Sequence, residues 1–247
     1  MKQRLTVLVT VLIMAAIIEV RAQDTFHVFP QFADGGFPDG THYKSTLMIR
    51  NAFSSTAADC TFRLYGLSAT MGAAVGPFSI FSVTVPQGHG WLHARSTAGQ
   101  AFKSGYATLT CSSYVYANVL YSLYLPGPAG VGGIKAGEAT VFSSDDEYVA
   151  RIIADQTEGA RVGVAIANNT DLQHTYRVSV NGADGVIIGN ATFSIPARSA
   201  SAKFVDEMVP AAAHQLVNVT IDTADFSLFS AIGLRFTGAV FTTIPAY

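Results

Sequence analysis

The chain has 247 residues, of which 49% are hydrophobic and 13% charged, and its formal net charge is −2. The charged share is about half the roughly 25% of ordinary soluble domains, so solubility must come from Ser, Thr, Asn and turn backbone, which suits an extracellular β protein. No run of Lys or Arg is present to displace counterions from phosphates, and this argues against a nucleic-acid partner.

In chain order, Lys2 and Arg4 precede an almost wholly apolar run at 5–18, and Val20-Arg21-Ala22 places small or aliphatic residues at the cleavage offsets. The pattern predicts a secretory signal peptide over residues 1–22, cut after Ala22. The run falls short of the roughly 20 residues that span a bilayer, and Glu19 and Arg21 close it, so a membrane anchor is the poorer reading. No later segment reaches spanning length, and no membrane span is expected in the mature chain. A secreted or cell-surface location follows, periplasmic or extracellular.

Residues 26–40, FHVFPQFADGGFPDG, read as a strand with Pro30 at its edge, running into a turn dense in Gly, Asp and Pro. Strands follow at about 45–50, 60–65 and 78–85, with a Gly- and Ala-rich loop at 67–77 and a turn at Pro86-Gln87-Gly88. The stretch 91–103 has no clean period and is read as holding a short helical turn. Residues 106–111 and 115–125 read as a hairpin around Ser112-Ser113, after which 126–137 reads as a flexible crossing and 138–142 as a closing strand. Short strands at about 8–12-residue spacing, separated by turn signals, predict a sandwich or barrel.

A repeat organises the whole chain. Residues 46–66, TLMIRNAFSSTAADCTFRLYG, return in recognisable form at 161–182, RVGVAIANNTDLQHTYRVSVNG. In both, an apolar strand ends on an Asn (Asn51, Asn168), a polar turn follows, and an alternating strand runs to a Gly. Ile153-Ala154-Asp155 echoes Phe32-Ala33-Asp34, Pro196 echoes Pro86, and Ile221 echoes Cys111. The expectation is an all-β chain of two tandem Ig-like antiparallel β-sandwich modules, at 23–143 and 144–247, each near the roughly 100 residues of an immunoglobulin sandwich.

Two cysteines in an exported chain raise a disulfide. Strand alternation turns Cys60 inward with Phe62 and Leu64, and Cys111 inward with Leu109 and Ala107, while Tyr176 and Ile221 take the matching places in the repeat. A Cys60–Cys111 bridge would contribute about 4 kcal/mol in the chain-entropy model. The alternative is two buried free thiols. No CxxC or Cys/His cluster points to a metal.

The segments FPQFADGG (29–36), FVDEMVP (204–210) and FTTIP (241–245), together with the Asn51 strand end and the Pro86-Gln87-Gly88 turn, give the chain a resemblance to a family. It resembles secreted tandem β-sandwich proteins of environmental bacteria, particularly acidobacteria. The resemblance covers nearly all of the mature chain and implies export and fold, with no catalytic residues to carry over. The two Cys and the Phe37-Pro38-Asp39 insertion depart from the family pattern.

The remaining constellations have plainer readings. His89 and His93 stand four apart, but Gly88 and Gly90 break any helix and no Glu lies between them, so a zinc-protease reading fails. Asp34 and Asp39 are weak calcium candidates, yet calcium wants six to eight oxygens and Asp-Gly is also an ordinary turn dipeptide. Asp206-Glu207 reads as part of a one-turn helix, because adjacent carboxylates point apart and do not flank a sugar. No GxSxG elbow or phosphate loop occurs, and no spacing assigns a Ser/His/Asp triad. Sequons stand at Asn168, Asn190 and Asn218, and the bacterial source that the resemblance implies would make them chance matches.

Five tyrosines, Tyr106, Tyr114, Tyr116, Tyr121 and Tyr124, concentrate in the expected hairpin, with Tyr114 and Tyr116 on one strand face. The expected function is therefore a non-enzymatic structural or adhesive module without cofactor, meeting a cell-surface protein or polysaccharide. A carbohydrate-binding module using Tyr114, Tyr116 and Trp91 is the alternative, and a secreted hydrolase comes third.

Overall fold

The computed structural model describes residues 23–52, 55–67, 79–94, 101–128 and 133–247. The predicted signal peptide lies outside the described residues, as do most of the 67–77 loop and the 95–100 part of the expected helical turn. Among the described residues no helix is long and apolar enough to cross a membrane.

The chain is all-β and every pairing between its named strands is antiparallel. Strands β1 (Gln23–Gly36), β2 (His42–Arg50), β3 (Ala58–Tyr65), β4 (Ile80–Val85), β5 (Gly90–Ala94), β6 (Lys103–Leu125) and β7 (Ile134–Phe142) form one sheet system. Strands β8 (Val149–Asp155), β9 (Arg161–Asn168), β10 (His174–Gly182), β11 (Ile187–Ile195), β12 (Ser199–Phe204), β13 (Leu216–Thr223), β14 (Ser230–Thr237) and β15 (Val240–Pro245) form two four-stranded sheets, ordered β11-β10-β13-β8 and β12-β9-β14-β15. A single helical turn, α1 (Val205–Met208), follows β12.

The repeat is visible in the pairing. In the first set, β4-β3-β6-β1 and β5-β2-β6-β7 reproduce the two sheet orders of the second, with β6 serving both. Its first half pairs β1 and β3, and its second half pairs β2 and β7. The expected hairpin at Ser112-Ser113 is thus corrected to one continuous strand of 23 residues. Tight hairpin turns need positive φ, and neither serine adopts it. In the second set the same path runs seven positions from Thr223 to Ser230, against five from Cys111 to Tyr116, and a turn with Phe226 at φ 56° breaks it into β13 and β14.

Register also corrects one repeat assignment. Cys60 lies opposite Cys111, and its counterpart Tyr176 lies opposite Thr223, not Ile221. The segment from Pro196 to Thr223, which carries α1, is two positions longer than the segment from Pro86 to Cys111. Strand grouping differs from the immunoglobulin constant type, where the first, second, fourth and fifth strands share a sheet. Here the first strand of each set joins the third, fourth and sixth. A repeat identifies strands but not their pairing partners.

The repeated asparagine is a clamp. Asn51 and Asn168 are fully buried. The Asn51 amide donates to the carbonyls of Thr56 (2.8 Å) and Val85 (3.1 Å). That of Asn168 donates to Leu172 (2.8 Å), Ile195 (3.1 Å) and Pro196 (2.9 Å). Each therefore ties the end of one sheet to the last residue of a strand in the other, satisfying backbone that the turn leaves unpaired.

Apolar packing does not stop at the module boundary. Within the second set, Ile152, Val178 and Val219 face Val162, Val164 and Ile166 across the two sheets. Alternate residues of β9 and β14 point the other way: Ala165, Ile232 and Leu234, with Phe241 of β15, join the cluster of Phe29, Phe62 and Leu109. Covered on both faces, β9 reads as a nearly unbroken apolar run. The crossing expected at 126–137 is also displaced, since β7 begins at Ile134 and the chain passes between strand sets at 143–148. There the Ser144 amide donates to Val28 (2.8 Å) and its hydroxyl to the Ala231 carbonyl (2.9 Å).

Candidate functional site

The Cys60–Cys111 disulfide is formed, joining buried positions opposite each other on β3 and β6. The other sequence-selected residues do not converge. Tyr114 is 59% exposed and Tyr116 half-buried, on the same face of β6. Trp91 stands opposite Ile49 on β5, and its side chain lies outside the described residues. Tyr106 and Tyr121 are buried, and Tyr124 stacks on His42 (ring centroids 5.0 Å apart), so the five tyrosines build no common platform.

Asp34 is buried on β1, whereas Asp39 is exposed and accepts from the Thr41 amide (2.9 Å) within a turn that has Gly35 and Gly40 at φ 88°. Among the described residues no group of three or more His, Cys, Asp or Glu could hold a metal ion.

Several polar clusters tether loops. The Arg161 guanidinium lies 3.8 Å over the Phe204 ring, binds both oxygens of Asp206 (2.9 Å each) and reaches Glu207 (3.0 Å). Arg198 binds Asp171 and Asn169, and the buried Tyr106 hydroxyl donates to the same Asn169 side chain (3.1 Å), linking the two strand sets. The Arg198 hydrogen bond holds the Asp171 carboxyl below its ordinary range.

A third cluster has the outline of a hydrolytic relay. Thr170 Oγ1 lies 2.8 Å from His174 Nε2, and His174 Nδ1 lies 2.7 Å from Asp225, whose carboxyl the histidine hydrogen bond lowers. The Thr170 hydroxyl is also 2.7 Å from Asn168 Oδ1 and 3.0 Å from the Leu172 carbonyl. Its proton thus has acceptors inside its own loop, and the arrangement serves the asparagine clamp. A nucleophile needs a free base and donors for an oxyanion.

The concave feature with distinct chemistry lies between the strand sets. A cleft of about 210 Å³ is walled by Phe37, Tyr43, Phe102, Phe204, Phe236 and Phe241. Phe37 stacks on Phe102 (4.8 Å), Tyr43 contacts Phe102 (5.7 Å) and Phe241 (6.3 Å), and Phe236 bridges Phe204 (5.6 Å) and Phe241 (5.5 Å). Tyr121 adds its ring to the wall, and its hydroxyl is buried beside the Ala33 backbone. Burial pushes both the Tyr43 and Tyr121 phenols up, so both stay protonated donors. Sequence reasoning missed this cleft because its walls come from segments more than a hundred positions apart. The FTTIP and FVDEMVP segments, read as turn and strand-end signatures, supply Phe241 and Phe204.

Neither a protein-family model nor a curated protein sequence matches the chain.

Proposed function

We propose that the chain is an exported, non-enzymatic structural or adhesive protein of the cell surface or extracellular space, akin to the secreted tandem β-sandwich proteins its motifs resemble. The observation that carries this reading is the shared apolar core. It makes the two repeats one stiff body rather than two beads on a linker, with the disulfide closing part of the first. Such a body holds its end loops at fixed spacing, as a spacer or adhesive surface requires. The arginine clusters support the same role, because they anchor loops instead of presenting free catalytic groups. A disulfide also suits an oxidising compartment.

The test is expression of the complete sequence in a diderm bacterium, followed by fractionation and mass spectrometry. The expected product lies outside the cytoplasm, begins at Gln23 and carries an oxidised Cys60–Cys111 pair. Retention of an intact N-terminus in the cytoplasm overturns export. Turnover of ester, peptide or glycoside substrates that disappears in Thr170→Ala overturns the non-enzymatic reading.

One observation favours a second reading, carbohydrate binding. Tyr114 presents an exposed ring on a strand face it shares with Tyr116. Saturable depletion by an insoluble polysaccharide, lost in Tyr114→Ala or Tyr116→Ala, would select it.

A further inference from the structure

Strand β11 ends its sheet, and its outer edge is unguarded. Among the described residues it pairs with β10 alone. Gly182 donates to the Val186 carbonyl (2.8 Å) at the hairpin end, and Thr175 accepts from Ala224 (3.1 Å) on the opposite edge of β10. Backbone groups alternate along an antiparallel pair. The even-numbered residues of β10 therefore bond β11, and the β11 residues whose backbone faces away are Asn190, Thr192 and Ser194. Their side chains are exposed as well. Among the described residues no backbone hydrogen bond reaches these outward groups.

Proteins guard sheet edges with charge, Pro, bulges or covering chain, because unpaired N–H and C=O groups invite another strand. Strand β8 carries Arg151 and Asp155, and Tyr247 exchanges both backbone bonds with Arg151 (2.9 and 3.1 Å). Strand β12 carries Lys203, β7 carries Lys135 and Glu138, and β15 ends on Pro245. Strand β11, IIGNATFSI, has no charged residue and no Pro. Its counterpart β4, IFSVTV, shares this composition but has six residues against nine. The one irregularity of β11, beside Ile188, lies at the hairpin end and leaves 189–195 in regular register. Lys203 holds its ammonium over the Phe193 ring, which packs toward the core and not along the outward edge.

An edge without charge gives a charged peptide nothing to pair with, whereas a second copy brings the same uncharged strand. Antiparallel pairing about a two-fold axis at Thr192 sets Asn190 opposite Ser194 of the second copy, and Thr192 opposite itself. The outward N–H and C=O groups then satisfy one another, and no like charges meet across the axis. Such an isologous contact closes at two copies. We propose that the chain dimerises through β11, joining two four-stranded sheets into one continuous sheet. The association requires neither export nor adhesion.

The experiment is sedimentation velocity over a concentration series, on protein recovered from expression of the complete sequence. Wild type should pass from monomer to dimer as concentration rises and form nothing larger. Thr192→Lys sets two ammonium groups at the axis and should weaken the dimer about tenfold. Thr192→Pro removes the outward donor, at an edge position that tolerates Pro, and should weaken it by a similar factor. Asn218→Lys adds the same charge to β13 of the same sheet and should dimerise as wild type. An unchanged circular dichroism spectrum certifies the fold of each variant. Oxidation reads the register: Thr192→Cys should cross-link to a covalent dimer. Asn190→Cys should not, because its two copies would lie more than about 10 Å apart. Monomer at every concentration overturns the proposal, as does a dimer unchanged in Thr192→Lys or equally weakened in Asn218→Lys. Species growing beyond the dimer overturn the two-fold axis and point to an open chain of β11 against β4. Cross-linking of Asn190→Cys as fast as Thr192→Cys overturns the register.

Discussion

Replacing Asn168 with alanine should destabilise the protein by about 3 kcal/mol. The side chain is fully buried and makes five contacts: its two N–H hydrogens are shared among three carbonyls, and its oxygen accepts from the Thr170 amide and hydroxyl. The bond to the Ile195 carbonyl is buried, and orphaning such a group costs about 1–3 kcal/mol. The other four lie nearer solvent, where water recovers most of each, leaving about 1–2 kcal/mol in sum. Asn51→Ala should cost less, about 1–2 kcal/mol. Asn51 makes two donated bonds, and its carbonyl oxygen is buried without a partner among the described residues, so its loss removes a penalty as well as a benefit. Urea unfolding followed by circular dichroism, on both variants and wild type, measures the two losses. Equal losses, or an Asn168→Ala loss under about 1 kcal/mol, would refute the clamp and leave the repeated asparagine as an ordinary turn residue.

Reduction of Cys60–Cys111, or the Cys60→Ser/Cys111→Ser pair, should cost about 4 kcal/mol for a bridge closing a loop of this length, read as the shift between oxidised and reduced unfolding curves. A Cβ on Gly137 would lie 2.3 Å from the Ala239 carbonyl oxygen, so Gly137→Ala must push β7 away from the β14–β15 turn. It should cost about 1–3 kcal/mol and split the single calorimetric transition expected of a shared core into two. On the acid side, hydrogen bonds from Thr157, Arg198 and His174 hold Asp155, Asp171 and Asp225 below their ordinary values. Stability from these groups is present above the unfolded carboxylate pKa and is lost as pH falls through the folded values. The Asp171→Asn/Asp225→Asn variant should therefore show a flatter acid limb. Burial, with Asp145 nearby, pushes the Glu147 carboxyl up, which is the opposite linkage: its contribution is lost as pH rises through the folded value. Glu147→Gln should stabilise the protein at neutral pH and leave it unchanged at low pH, measured as melting temperature against pH.

What the sequence determined by itself was local and periodic. Alternation along 60–65 placed Cys60, Phe62 and Leu64 inward, and all three are buried. The recurrence of Asn51 as Asn168 marked the same clamp twice, because a buried amide bonded to backbone carbonyls cannot be exchanged for another side chain without leaving them unpaired. An all-β antiparallel chain with a Cys60–Cys111 bridge was legible for these reasons. Pairing partners were not legible, because strand propensity is silent about which strand lies alongside. Hence β6 runs through Ser112-Ser113 instead of turning, and Thr223, not Ile221, takes the place of Cys111. Tertiary structure alone decided that β9 and β14 are buried on both faces. That burial draws Phe37, Tyr43 and Phe102 against Phe204, Phe236 and Phe241 around one cleft. Such a site depends on distances between segments far apart in the chain, and no local pattern encodes those distances.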